Sequence, residues 1–174
     1  MTAPLRRRTR AREIALQVLF QFDLRGADYG AELGQSAAQM CSGEAQGDAE
    51  VQEFATRIVD GTLAHRGEID ERLQAVTRNW DLRRMANVDR NVLRLSIYEL
   101  MYCRDVPPKV AINEAIDLAK KYSTANSGGF VNGILDRIRI DLEAQHRIAK
   151  DRSADAARAE AAPMTEQDSA GATE

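Results

Sequence analysis

Val88-Asp-Arg-Asn-Val-Leu-Arg-Leu-Ser-Ile-Tyr-Glu-Leu-Met-Tyr102 is the stretch whose reading decides the fold. Its apolar residues Val88, Val92, Leu93, Leu95, Ile97, Leu100 and Met101 wrap most of a helical circumference, the pattern of a helix enclosed by others. Trp80 to Asn87 reads as the connector before it. Pro107 and Pro108 close it, and Pro108 suits the first turn of a further helix, where its missing N–H costs nothing. That helix presents Ala111, Ala115, Ile116, Ala119 and Tyr122. Ser127 then offers an N-cap oxygen to a helix carrying Phe130, Val131, Ile134, Leu135 and Ile138, and Gly128-Gly129 lets another group come close at its start.

Working back toward the N-terminus, Asp48 reads as the cap of a helix with Val51, Phe54, Ile58 and Leu63. A short helix with Ile69, Leu73 and Val76 follows Gly67. Between Gly26 and Gly47 the periodicity is weak, around Leu33 and Met40, and fits either a loop or a loose short helix. From Thr9 to Leu24, Ile14, Ala15, Val18, Leu19 and Phe22 recur at intervals of three and four, an amphipathic stripe that Gly26 ends. The expectation is all-α: one domain of about seven helices over residues 1–142, then a disordered, acidic, Ala-rich tail over 143–174. With 44% hydrophobic and 5% aromatic residues, 174 residues suffice for one core and argue against a β-sandwich. No run is long enough for a membrane span. Cys41 and Cys103 match neither a metal-ligand spacing nor a disulfide framework, which points to a reducing cytoplasm.

The net charge of -3 hides its distribution. The tail from Glu143 holds 4 basic and 7 acidic residues, so the body before it is balanced. Within that body Arg6, Arg7, Arg8, Arg10 and Arg12 crowd together with no acid before Glu13. Cations at a helix start oppose the macrodipole by about 0.3–1 kcal/mol each, so a purely structural sequence would place acids there. Phosphate binding is the alternative: guanidinium forks match phosphate oxygens, and amide N–H groups at a helix start face the same ligand. Enzyme chemistry finds no support. His65 and His146 lack an evident partner, Cys103 reads as core, and Gly128-Gly-Phe-Val-Asn-Gly133 has neither the Lys-Ser/Thr nor the preceding strand of a phosphate loop. No catalytic residue, metal or cofactor is expected.

Three motifs occur in order: Arg6-Arg-Arg-Thr-Arg-Ala-Arg-Glu13, the Val88 stretch, and Asp105-Val-Pro-Pro-Lys-Val-Ala-Ile-Asn-Glu-Ala-Ile-Asp-Leu-Ala-Lys-Lys-Tyr122 followed by Ser127 and Phe130-Val-Asn-Gly-Ile-Leu-Asp136. Together, over about residues 5 to 140, they resemble the NusB family of bacterial transcription antitermination factors. The resemblance implies two packed helical bundles and a factor that binds single-stranded boxA RNA with NusE, a small-subunit ribosomal protein, in the RNA polymerase antitermination complex. It matches Arg6, Arg7, Arg8 and Arg10 to an arginine-rich RNA-binding motif, Asp89 to an acidic position on the NusE-contacting surface, and Phe130 to an aromatic near the RNA path. Phe130 fits a core position equally well by its spacing to Ile134. Asn126 stands where the family often has an acid, which removes a negative charge beside the RNA track, and Gly128-Gly129 replaces bulkier polar residues. Two other readings compete: the RNA-binding module that precedes the catalytic domain of some ribosomal RNA cytosine methyltransferases, and a helical scaffold, a homodimer among its forms, pairing through the Val88 helix.

Overall fold

A computed structural model describes residues 3–26, 37–78 and 80–160. The described chain is helical: α1 (Ala3–Arg25), α2 (Ala37–Ala45), α3 (Ala49–Ala64), α4 (Arg66–Thr77), α5 (Asn87–Tyr102), α6 (Pro108–Tyr122) and α7 (Ser127–Glu160), with a 3-10 turn at Leu82–Arg84. No strand occurs among the described residues. Residues 1–140 form one compact unit and 141–174 another, the latter described as helix as far as Glu160.

The punctuation marks in the sequence act as expected. Gly26 adopts φ +84, the left-handed conformation that favours glycine, and its N–H bonds the Phe22 carbonyl at 3.1 Å to end α1. Asp48 accepts from the Val51 amide at 3.2 Å and caps α3. Pro108 opens α6. Of the ambiguous Gly26–Gly47 stretch, α2 forms with Ala37, Cys41 and Ala45 buried four residues apart, while 27–36, including Leu33, lie outside the described residues.

α5 packs against α1, α3, α4 and α6, and α1 against α2, α3 and α5, so α1 and α5 join the two groups of helices. Leu93, Leu95 and Ile97 are fully buried, each contributing roughly 1.5–3 kcal/mol. On α6, Ile112 and Leu118 take buried places beside Ala111, Ala115 and Ala119, whereas Ile116 is half-buried and Tyr122 exposed. The sequence counts Ile116 and Tyr122 and omits the other two because an alanine stripe does not fix the helix rotation. Between Glu143 and Glu160, where a tail is expected, the chain continues α7; its Ala, Glu, Arg and Lys are strong helix formers that need no burial to adopt this form. Residues 161–174 lie outside the described residues.

Two further expectations are corrected. α1 starts at Ala3, not near Thr9, so Arg6 to Arg10 follow the first turn, beyond the free N–H groups, and the dipole argument loses most of its force. Ser127 does not serve as a forward cap. Its hydroxyl turns back to accept from the Thr124 amide at 3.2 Å and to donate to Asp89 Oδ2 at 3.1 Å, because α7 packs on the start of α5 there.

Candidate nucleic-acid interface

The arginine run of α1 divides by helical phase. Arg12 falls on the inner face beside Ala11, Ile14 and Ala15 and is 1% exposed. Its guanidinium grips Glu99 of α5, with Nη2 to Oε1 at 2.7 Å and Nε to both oxygens at 3.0 and 3.1 Å. A second carboxylate, Glu114 of α6, lies 3.5 Å from Nη1 and accepts the Thr9 hydroxyl at 3.1 Å. Burial pushes the Glu99 carboxyl up, and Arg12 works against that shift. Arg12 is therefore a bolt between α1, α5 and α6.

Arg6, Arg7, Arg8 and Arg10 keep exposed or half-buried positions. Arg7 pairs with Asp48 at 3.1 Å and Glu50 at 3.0 Å, reaching the start of α3. Arg8 reaches Asp105 at 3.2 Å, and Arg10 lies 3.6 Å from Glu13. Arg6 is exposed and has no ion-pair partner among the described residues. The run looks like uncompensated charge in the sequence, but three of its four surface members are partnered by acids. Such exposed pairs are worth only about 0–1 kcal/mol each, so they hold the guanidiniums in place without locking them away.

Arg10 also borders a groove of about 310 Å3 whose other walls are Glu13, Leu16, Gln17, Phe20, Val88 and Tyr122. Val88 adjoins Asp89, the predicted partner-facing acid. The structure places Asp89 at 8% exposure, so it is no projecting rim charge: Oδ2 takes the hydroxyl of Ser127 at the start of α7, and Oδ1 is buried with no hydrogen-bond partner among the described residues. Asn126 is exposed, and its carbonyl accepts the Phe130 amide at 3.3 Å. Phe130 is half-buried rather than core. Its ring lies 6.0 Å from that of Trp80, which is 52% exposed. The close approach allowed by the glycines is to α6: a side chain at Gly128 would meet Lys120 Cε at 2.9 Å, while Gly129 faces open space.

The predicted residues thus fall in separate neighbourhoods. Arg7 and Arg8 share a hollow of about 160 Å3 with Glu50, Glu53, Phe54 and Arg57, Arg10 lines the groove that includes Val88, and Phe130 lies beside Trp80. Trp80 and Arg57 escape a reading from sequence. Trp80 sits in a connector without periodicity, and Arg57 is one outward cation on an amphipathic helix. A signal exists for the second, since Arg57 follows the aromatic Phe54 by three residues and so overlies it. Cys41 and Cys103 are buried, with burial first among the causes that raise both thiols.

Comparison with known proteins agrees with this geometry. The NusB family model matches residues 9–139. A protein of Anaeromyxobacter sp. (strain Fw109-5), described as transcription antitermination protein NusB, is 47% identical over 141 residues, 81% of this chain and 95% of that protein. One of the same description from Pelotomaculum thermopropionicum is 46% identical over 132 residues, 75% of this chain and 88% of that one. Among solved structures, T. maritima NusB superposes with a TM-score of 0.66 at 39% identity, covering 76% of this chain and 89% of that one. A structure of the antitermination factors NusB and NusE in complex with double-stranded RNA gives a chain with a TM-score of 0.66 at 29% identity, covering 78% of this chain and 98% of that one. With the matched region spanning α1 from Thr9 through the buried half of α7, the chain belongs to the NusB family.

Proposed function

We propose that the chain is a transcription antitermination factor, an RNA- and protein-binding protein and not an enzyme, that takes up single-stranded boxA RNA together with NusE in the antitermination complex on RNA polymerase. The observation that carries this reading is the division of the arginine run: Arg12 satisfies buried carboxylates, while Arg6, Arg7, Arg8 and Arg10 remain at the surface in weak pairs that phosphate can replace. Phe130 and Trp80 supply ring faces on which unpaired bases stack, and Asn126 leaves that path without an added negative charge. NusE docks on the apolar groove of Leu16, Phe20, Val88 and Tyr122. Asp89, next to Val88 in the chain, acts on that face from a buried position, through the Ser127 hydroxyl that ties the start of α7 to the start of α5.

The test is fluorescence anisotropy of labelled boxA RNA with and without NusE. Arg6→Ala/Arg10→Ala breaks only the 3.6 Å Glu13 contact among the ion pairs described, so folding is unaffected, and RNA affinity falls at least about fivefold at low salt. Unchanged affinity under both conditions would falsify the assignment.

A further inference from the structure

Three guanidiniums surround a single aromatic ring. Arg8 lies 4.8 Å, Arg57 5.0 Å and Arg12 5.2 Å from the centre of Phe54, which is itself 7% exposed. Arg12 is the buried member, and its charge is answered by Glu99 and Glu114. Arg8 and Arg57 are the outer members, with side chains 40% and 42% exposed. Between them stands one carboxylate. Arg57 Nη2 contacts Asp105 Oδ1 at 2.9 Å and Oδ2 at 3.0 Å, and Arg8 Nη2 contacts Oδ2 at 3.2 Å.

Asp105 belongs to the turn between α5 and α6, and 44% of its side chain is exposed. Burial would raise its carboxyl, but Arg57 above all, helped by Arg8, holds it below the usual carboxylate range, so it is an anion at neutral pH. Two exposed cations therefore share one exposed anion at the end of the α1 arginine row. The hollow beside them is walled by Arg7, Glu50 and Glu53, and Arg7 already engages Glu50.

We propose that Arg57 is a further RNA phosphate contact and that Asp105 is the internal counter-ion holding Arg8 and Arg57 in place until a phosphate replaces it. The inference rests on the reading of the α1 arginines as RNA-binding. The Phe54 face fixes both guanidinium planes from below, so their forks stay ordered when the carboxylate leaves. The exchange gives up a weak, exposed ion pair and gains a charge-assisted contact that releases counterions from the RNA.

The experiment titrates a short fluorescein-labelled single-stranded oligoribonucleotide at several salt concentrations with the full chain, Arg57→Gln, Arg57→Lys, Asp105→Asn, and the double variant Arg57→Gln/Asp105→Asn, with Arg6→Ala/Arg10→Ala alongside. Thermal melts establish that each is folded. Arg57→Gln should weaken binding about threefold to fivefold and make the slope of log K against log salt shallower by up to about 0.7, the value for one phosphate of a single strand met by an unpaired cation. Arg57→Lys keeps the charge and should keep the slope. Asp105→Asn should tighten binding, and this gain should shrink when Arg57 is already Gln, because the carboxylate then has one fewer arginine to release. An Arg57→Gln slope and affinity equal to the parent's, with Arg6→Ala/Arg10→Ala still weakened, would overturn the proposal and leave the α1 reading standing. Loss of effect in both would remove the underlying reading as well. Strictly additive effects of Asp105→Asn and Arg57→Gln would reduce Asp105 to a distant charge and overturn the exchange.

Discussion

Replacing Arg12 with Leu removes the only cation among the described residues that touches Glu99, whose side chain is fully buried, and the closest one to Glu114, whose side chain is 9% exposed. The loss is not that of a surface pair. Three hydrogen bonds to Glu99 disappear and a buried carboxylate is left without a counter-charge, a change that costs about 3–5 kcal/mol. At about 2–4 °C per kcal/mol for a chain of this size, the melting temperature should drop by about 10 °C, and urea unfolding should show the same loss at an unchanged m value. The deficit depends on pH with a definite sign. Burial already raises the Glu99 carboxyl above its ordinary 4.5, and without Arg12 the opposition to that shift is reduced to the weaker attraction of Arg57, with Glu114 adding to the shift. A group with a raised folded pKa stabilises below its unfolded value and loses that contribution as pH rises, so Arg12→Leu should lie closest to the parent below pH 4.5 and furthest at neutral pH. Arg12→Leu/Glu99→Leu, which leaves Glu114 with its Thr9 hydroxyl, should recover the part of the stability lost at Glu99, and adding Glu114→Gln should recover most of the rest. A single variant that melts within about 2 °C of the parent at pH 7, or a deficit that does not change with pH, would refute the role of Arg12 as a buried bolt.

A similar hub joins the other end of α1 to α4 and α5: Asp23, 6% exposed at its side chain, accepts from Arg90 at 2.6 Å, Arg94 at 3.0 Å, Arg66 at 3.2 Å and Asn91 at 3.0 Å. Burial opposes ionisation, but these donors together hold its carboxyl below 3.8, so its contribution is complete above that pH and lost as pH falls through the lower folded value. Acid melts should therefore fall more steeply below pH 3.8 for the parent than for Asp23→Asn, and parallel curves would show that Asp23 carries none of the acid sensitivity. Gly61 packs against the Tyr98 ring, which stacks at 5.4 Å on Tyr102, and a methyl at Gly61 would overlap that ring. Gly61→Ala should cost about 1–3 kcal/mol in urea unfolding and shift the Tyr98 resonances, whereas a neutral substitution would mean that the ring swings out freely.

Local chemistry was readable in the chain because it is local. Gly26, Asp48 and Pro108 end or begin helices through contacts within four residues of themselves. The all-round apolar pattern of α5 likewise announces its central place. The polar residues of the same helix were not readable: Arg90, Asn91, Arg94 and Glu99 are all buried, and each is satisfied by a partner far away in sequence, Asp23, Asp70 or Arg12. Spacing shows only that Arg90 and Arg94 share a face; it does not say that an acid on α1 faces them. Asp89 shows the same limit. At a helix start it reads as an exposed acid, and only the packing of α7, through Ser127, removes it from the surface.

The arginine run changes meaning most, and the change bears on how the interface works. Read alone, it promises four unpaired phosphate ligands repelled by their own helix, with a salt slope near -3 on single-stranded RNA. In the fold Arg7, Arg8 and Arg10 already hold carboxylates, so each phosphate that binds them displaces an internal anion. The favourable counterion release from RNA is then partly offset by the freed carboxylate, which attracts cations of its own. Only Arg6, without an ion-pair partner among the described residues, contributes its full charge from the start. An exchange of this kind weakens binding to isolated phosphates, since any single anion merely replaces another. A strand that reaches several of these arginines at once offsets the loss of several weak pairs, those to Asp48 before α3, Glu50 on it, Asp105 after α5 and Glu13 on α1, within a single association. On the proposed reading, the ion pairs would favour an extended polyanion over small anions, a selectivity set by the spacing of Arg6 to Arg10 rather than by net charge.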